Sequence, residues 1–94
     1  MPYEMKYRSR NEIIRSILQA ASASEGTSRT KLMFKSYLAF NHLKEYLINL
    51  QENGLIDYEV GRQCYRITQK GVRLLQLQNK MEEISPIKYV EKSQ

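Results

Sequence analysis

The chain has 94 residues, enough for one domain with a thin core. It is 41% hydrophobic and 27% charged with a net charge of +5, a balance that suits a well-solvated globular protein. No run of about 18 apolar residues occurs, which excludes a membrane-spanning helix, and the single cysteine, Cys64, excludes both an internal disulfide and a cysteine-rich zinc site.

The N-terminus, MPYEMKYRSR, is polar and basic and lacks the apolar stretch of a signal peptide, so the expected location is cytoplasmic. Positive charge is unevenly spread. Residues 1–35 hold seven Lys/Arg against Glu4, Glu12 and Glu25, a net of +4. Residues 36–94 hold eight against seven, a net of +1. The excess lies in an N-terminal arm over residues 1–8 and in the first two helices. Lys and Arg neutralise phosphate and release counterions, the main source of non-specific nucleic-acid affinity. A solubilising surface would carry similar charge.

Residues 1–8 show no periodicity and read as a flexible basic arm. Ser9-Arg10-Asn11-Glu12 has the capping-box form that opens a helix. Ile13, Ile14, Ile17, Leu18 and Ala21 then recur at helical spacing, and the helix is expected to reach about Ala23. Ser24 to Ser28 is turn material. Thr27 or Ser28 caps a short second helix, Arg29 to Ser36, with Leu32 and Met33 inward and Lys31 and Lys35 outward. Tyr37-Leu38-Ala39 turns into a third helix, in which Phe40, Leu43, Leu47 and Leu50 form one buried stripe with Tyr46 beside them. Gly54 stops that helix in a left-handed position. Leu55, Ile56, Tyr58 and Val60 form one strand, and Tyr65 and Ile67 sit on the next. The tip is Gly61-Arg62 or Arg62-Gln63. Thr68 caps a last helix that runs to about Ile84 and is stopped by Ser85-Pro86. Residues 86–94 read as a loose tail.

A helix, a glycine stop, a short hairpin and a final helix form the second half of a winged helix-turn-helix. The fold class is therefore mainly α with a small β-hairpin. A winged helix-turn-helix spans residues 9–68, and a C-terminal helix spans 69–85. That last helix has two apolar faces. Val72 and Leu75 lie on one, and Leu74, Leu77, Met81 and Ile84 follow 3-4-3 spacing on the other. One face closes the core; the second calls for a partner, most simply a second copy in a homodimer. A small core wrapped around both faces is the alternative.

Catalysis is hard to build here. The chain has one histidine, one cysteine, and no Gly-rich phosphate loop, HExxH motif or paired CxxC. No catalytic residue, metal site, cofactor or small-molecule substrate is expected. Cys64 reads as a small apolar residue packed in a strand, with a redox role as the rival.

In a helix-turn-helix the recognition helix sends its N-terminal residues to base edges in the major groove. Asn41 can pair with adenine, and Lys44 can reach guanine or phosphate. His42 can donate to either, although a lone histidine on a solvated face is more often surface. Arg29, Lys31 and Lys35 are placed to meet phosphates. Arg62 suits a wing tip that enters a minor groove or touches the backbone, with Arg66 beside it. Glu45 and Glu52 on the same helix oppose phosphate, and Ile48 between them fits a protein contact better. The seven tyrosines (Tyr3, Tyr7, Tyr37, Tyr46, Tyr58, Tyr65 and Tyr89) read mostly as half-buried packing with a polar tip. Base stacking on single strands is their other use.

Several fragments carry a family resemblance: Arg-Ser-Arg-Asn-Glu-Ile-Ile at residues 8–14, Thr30-Lys31-Leu32-Met33, Leu43-Lys44-Glu45-Tyr46-Leu47, Asn53-Gly54-Leu55-Ile56, and Tyr65-Arg66-Ile67-Thr68-Gln69-Lys70-Gly71. In this order, from about Lys6 to Glu83, the chain resembles the small archaeal winged-helix DNA-binding proteins of about this size. The resemblance implies a helix-helix-helix-hairpin-helix fold and double-stranded DNA as partner, in transcriptional regulation or in the nucleoid. It also implies dimerisation through an antiparallel coiled coil of the C-terminal helix. Two positions depart from the family: Ala39 stands where a serine cap is frequent, and Pro86 shortens the last helix. A winged-helix protein-interaction module without a DNA role is the alternative, because fold does not dictate function.

Overall fold

The computed structural model describes residues 9–84, which form four helices and one antiparallel hairpin: α1 Arg10–Ala21, α2 Arg29–Ser36, α3 Phe40–Glu52, β1 Ile56–Glu59, β2 Cys64–Ile67 and α4 Gln69–Ile84. The expected basic arm and tail, with Pro86, lie outside these residues.

The opening of α1 is a full capping box. The Glu12 amide donates to Ser9 Oγ at 3.1 Å, and the Ser9 amide donates to Glu12 Oε1 at 3.0 Å. Such a cap is worth about 1 kcal/mol. The helix ends at Ala21, two residues short of the expected Ala23. Ser22 closes it, its hydroxyl donating to the Gln19 carbonyl at 2.6 Å. Of the two cap candidates for α2, Ser28 takes the role, its Oγ accepting from the Lys31 amide. Thr27 does something different: its amide and carbonyl both bond to Tyr65, at 2.9 and 2.7 Å. It thereby adds a one-residue third edge to the hairpin and ties the wing to the helices. Tyr37 ends α2 in the left-handed conformation at φ 57°.

The core gathers Ile17, Leu18, Ala21, Leu32, Leu43, Leu47, Leu50, Ile56 and Leu75, so every helix and β1 contribute. Phe40 departs from the expected stripe. It stands at the first residue of α3, where the core has already narrowed, and is only half-buried. Val60 departs too. Strand β1 stops at Glu59, opposite Cys64, so Val60 lies exposed in the four-residue tip Val60-Gly61-Arg62-Gln63. The left-handed residue of the tip is Gln63, at φ 53°, rather than Gly61.

The ends of the hairpin converge on Leu55. Its amide donates to the Leu50 carbonyl at 2.9 Å, and its carbonyl accepts from the Thr68 amide at 3.1 Å. Thr68 also caps α4: its hydroxyl donates to the Gly54 carbonyl at 2.6 Å and accepts from the Gly71 amide at 3.0 Å. Lys70 donates to the Asn53 carbonyl at 2.8 Å, placing a cation at the C-terminus of α3 where the helix dipole favours it. Gly54, at φ 72°, makes the turn.

The expected two faces of α4 separate as follows. Gly71 and Leu75 are buried, and Leu74 packs on the edge of the core. Val72 is more exposed than expected, and farther along the same stripe polar residues meet α1: Arg15 donates to Asn79 Oδ1 at 2.7 Å and pairs with Glu82 at 3.4 Å. Leu77, Met81 and Ile84 are 60, 59 and 75% exposed.

A methyl group at Gly71 would overlap the Leu55 carbonyl oxygen and come within 2.7 Å of Ile67 Cγ1. One at Gly61 would meet nothing within 4 Å. Gly71→Ala is therefore expected to destabilise the domain by about 2 kcal/mol or more, and Gly61→Ala to stay within about 0.5 kcal/mol of the native chain. Urea denaturation of the two variants checks this.

Candidate nucleic-acid interface

With Leu43, Leu47 and Leu50 turned into the core, the opposite side of α3 presents Asn41, Glu45, Ile48 and Glu52 at i, i+4, i+7 and i+11. All four are exposed, Ile48 by 46%. His42 and Lys44 are exposed on the two flanks. Glu45 also lines a small cleft between α3 and α1, with Arg10, Ile14, Tyr46 and Asn49. Ala39 offers no side-chain cap, so the α3 N-terminus is held by backbone alone, starting with the Leu43 amide on the Ala39 carbonyl at 3.0 Å.

Phe40 lies on the Lys44 flank. The Arg29 guanidinium lies 4.5 Å from the centre of the Phe40 ring, a cation–π contact that holds a flexible side chain in place. One helical turn beyond Phe40 comes Lys44. Across the hairpin, Tyr58 and Tyr65 pack with ring centroids 4.8 Å apart and planes tilted by 53°. Burial pushes the Tyr65 hydroxyl above its ordinary pKa, the neighbouring Tyr58 adds to the rise, and the Arg29 charge opposes it. Arg29 thus bridges the first turn of α2, the start of α3 and the wing.

The other candidates scatter. Lys31 and Lys35 line the groove between α2 and α1, together with Arg15 and Gln19, on the side of α2 away from Arg29. Arg62 stands at the exposed wing tip with Glu59 3.8 Å away. That surface pair contributes little and leaves Arg62 free to turn toward another anion. Arg66 is committed elsewhere: it donates to the Ser24 carbonyl at 2.8 Å and pairs with Glu59 at 3.6 Å, clasping the wing to the α1–α2 turn. Cys64 is buried behind that clasp, its Sγ 3.6 Å from the Glu25 carbonyl oxygen. Among the described residues, no group of three or more His, Cys, Asp or Glu side chains is arranged to hold a metal, and no helix is long and apolar enough to cross a membrane.

Sequence reasoning missed the Phe40–Arg29 stack, because Phe40 fits the apolar spacing of α3 and spacing cannot report where the core ends. It also missed Phe34, 79% exposed on α2. Its position, two residues after buried Leu32, was the available signal.

Tyr65 carries a pH prediction. Its folded pKa lies above the unfolded value of 10.0, so the native state holds this proton more tightly. The stabilisation is fully present below pH 10 and is lost as pH rises through the folded value. Tyr65→Phe is expected to flatten the fall in melting temperature above pH 10; an unchanged profile would remove Tyr65 as a contributor.

A winged helix-turn-helix family model matches residues 7–85. No curated protein sequence matches the chain. Among solved structures, the chain is similar to the crystal structure of Sso10a-2, a DNA-binding protein from Sulfolobus solfataricus. The TM-score is 0.70 at 26% sequence identity, over 92% of this chain and 90% of that one. With the family model spanning nearly all of the chain and the hairpin, caps and core arranged as described, the protein belongs to the winged helix-turn-helix family.

Proposed function

We propose that the protein binds double-stranded DNA through α3 and the wing, as a homodimeric transcriptional regulator. The observation that carries this reading is the edge formed by Arg29, Phe40 and Lys44 beside exposed Asn41. It joins a pre-positioned guanidinium, a lysine and an amide at the N-terminal end of a solvent-facing helix. An arginine held on a ring loses less side-chain freedom when it meets a phosphate. Similarity over most of both chains to a protein described as DNA-binding supports the same reading.

In this reading Asn41, Lys44 and His42 face the major groove, Arg29 takes a phosphate, and Arg62 reaches the backbone or minor groove from the wing. Lys31 and Lys35 add long-range attraction from the α1 side, and Arg66 acts mainly by holding the wing. A net charge of +5 is modest for a packing protein, which favours regulation over general compaction, with the protein at the nucleoid in either case. Leu77, Met81 and Ile84, with Leu74 at the core edge, form the dimer seam. Their exposure leaves about two heptads of apolar surface in want of a partner.

One observation favours a second reading. Glu45, Ile48 and Glu52 occupy the centre of the outward face of α3, and mixed acid and apolar character suits a protein partner better than phosphate. Retention of a partner after nuclease treatment would support that reading.

Fluorescence anisotropy with a labelled random-sequence duplex tests the first reading. Affinity is expected to be micromolar or tighter at low salt and to fall steeply as salt rises. Arg62→Ala should lower the slope of log K against log salt by about 1; an unchanged slope removes the wing from the interface. For the dimer, Leu77→Glu together with Met81→Glu should sediment as a folded monomer where the native chain sediments as a dimer. Equal sedimentation would place the dimer contact elsewhere.

A further inference from the structure

Phe34 is the most exposed large apolar side chain among the described residues, at 79%, and the α3–wing surface does not use it. It sits on the face of α2 opposite Leu32, which is fully buried. Lys31 lies one turn before it, Lys35 directly after it, and Tyr37, 65% exposed, closes the patch at the helix end. These four residues line one shallow surface, which has no carboxylate and no residue of α3 or the wing. Both lysines also line the adjoining groove along α1, where Arg15 adds a cation and Glu25 is the one carboxylate. The patch therefore offers flat rings beside a basic track. The hollow that these side chains line is shallow and open, and a planar base needs only a ring face. Rings alternating with cations are the usual means of holding single strands without sequence preference, with bases stacked and phosphates neutralised.

We propose that Phe34 and Tyr37, flanked by Lys31 and Lys35, form a stacking platform for the unpaired bases of single-stranded nucleic acid, separate from the surface assigned to duplex DNA. The site shares no lining residue with α3 or the wing; Lys31 and Lys35, which add long-range attraction to the duplex, are its one link to that reading, and Phe34 and Tyr37 are its own.

The test measures anisotropy of a labelled 20-nucleotide oligothymidine and of a random duplex of equal length, at one salt concentration, for the native protein, Phe34→Ala and Phe34→Trp. Phe34 is too exposed for either change to disturb folding, which far-UV circular dichroism verifies. Phe34→Ala should weaken oligothymidine binding by roughly tenfold and duplex binding by less than about twofold, and Phe34→Trp should restore the single-strand affinity. Native-like oligothymidine binding by Phe34→Ala overturns the proposal. An equal loss on both probes also overturns it, because Phe34 would then belong to the duplex interface. Displacement of oligothymidine by polyglutamate, with Phe34→Trp no better than Phe34→Ala, overturns it in favour of an acidic protein partner. Oligothymidine binding by a native protein that ignores duplex would leave this site standing and remove the duplex reading alone.

Discussion

The junction at Leu55 is the constraint on which the rest of the structure depends. Within a few residues the chain must end α3, start the wing, receive the returning strand and launch α4. Four hydrogen bonds do this: Leu55 to Leu50, Thr68 to Leu55, Thr68 to Gly54 and Gly71 to Thr68. Each satisfies a backbone group that a helix end or strand end would otherwise leave open. The approach is so close that position 71 admits no side chain. Because both α3 and the wing hang from this junction, their relative placement is set here.

A second tie acts from the opposite edge of the wing. Thr27 pairs with Tyr65, and Arg66 reaches Ser24. The hairpin alone has four residues per strand and one buried residue on each. A two-stranded ribbon of that length is marginal by itself. It is held at its base by Leu55 and Thr68, and along its side by Thr27 and Arg66, with only the Val60–Gln63 tip projecting. This division separates two arginines four residues apart: Arg66 is part of the clasp and Arg62 is at the free end.

Much of this was legible in the sequence where a local rule applies. The Ser9–Glu12 box, the Gly54 stop, the Thr68 cap and the exposed stripe of Leu77, Met81 and Ile84, spaced 4-3, each depend on residues within one or two turns. What the sequence left open lies where distant segments meet. Thr27 fits a helix cap as well as Ser28 does, until the strand carrying Tyr65 arrives 38 positions later. Phe40 fits the stripe of α3, but the core closes before reaching it, and a ring left half outside becomes a seat for Arg29. Gly71 looks like an ordinary helical glycine until Leu55 is seen against it. The charge of the first 35 residues was legible as a total. Its division between Arg29, facing α3, and Lys31 and Lys35, facing α1, follows only from how α2 is rolled onto the bundle.

The proposed role of α3 and the wing, carried on this frame, is to meet duplex DNA. Its most direct test is titration of isotope-labelled protein with a short duplex, read by amide and side-chain chemical-shift changes. The largest changes are expected to cluster at Arg29, Asn41, Lys44 and the Val60–Gln63 tip, with the outward face of α4 unaffected. Changes confined to other surfaces, or none at low salt, would contradict it.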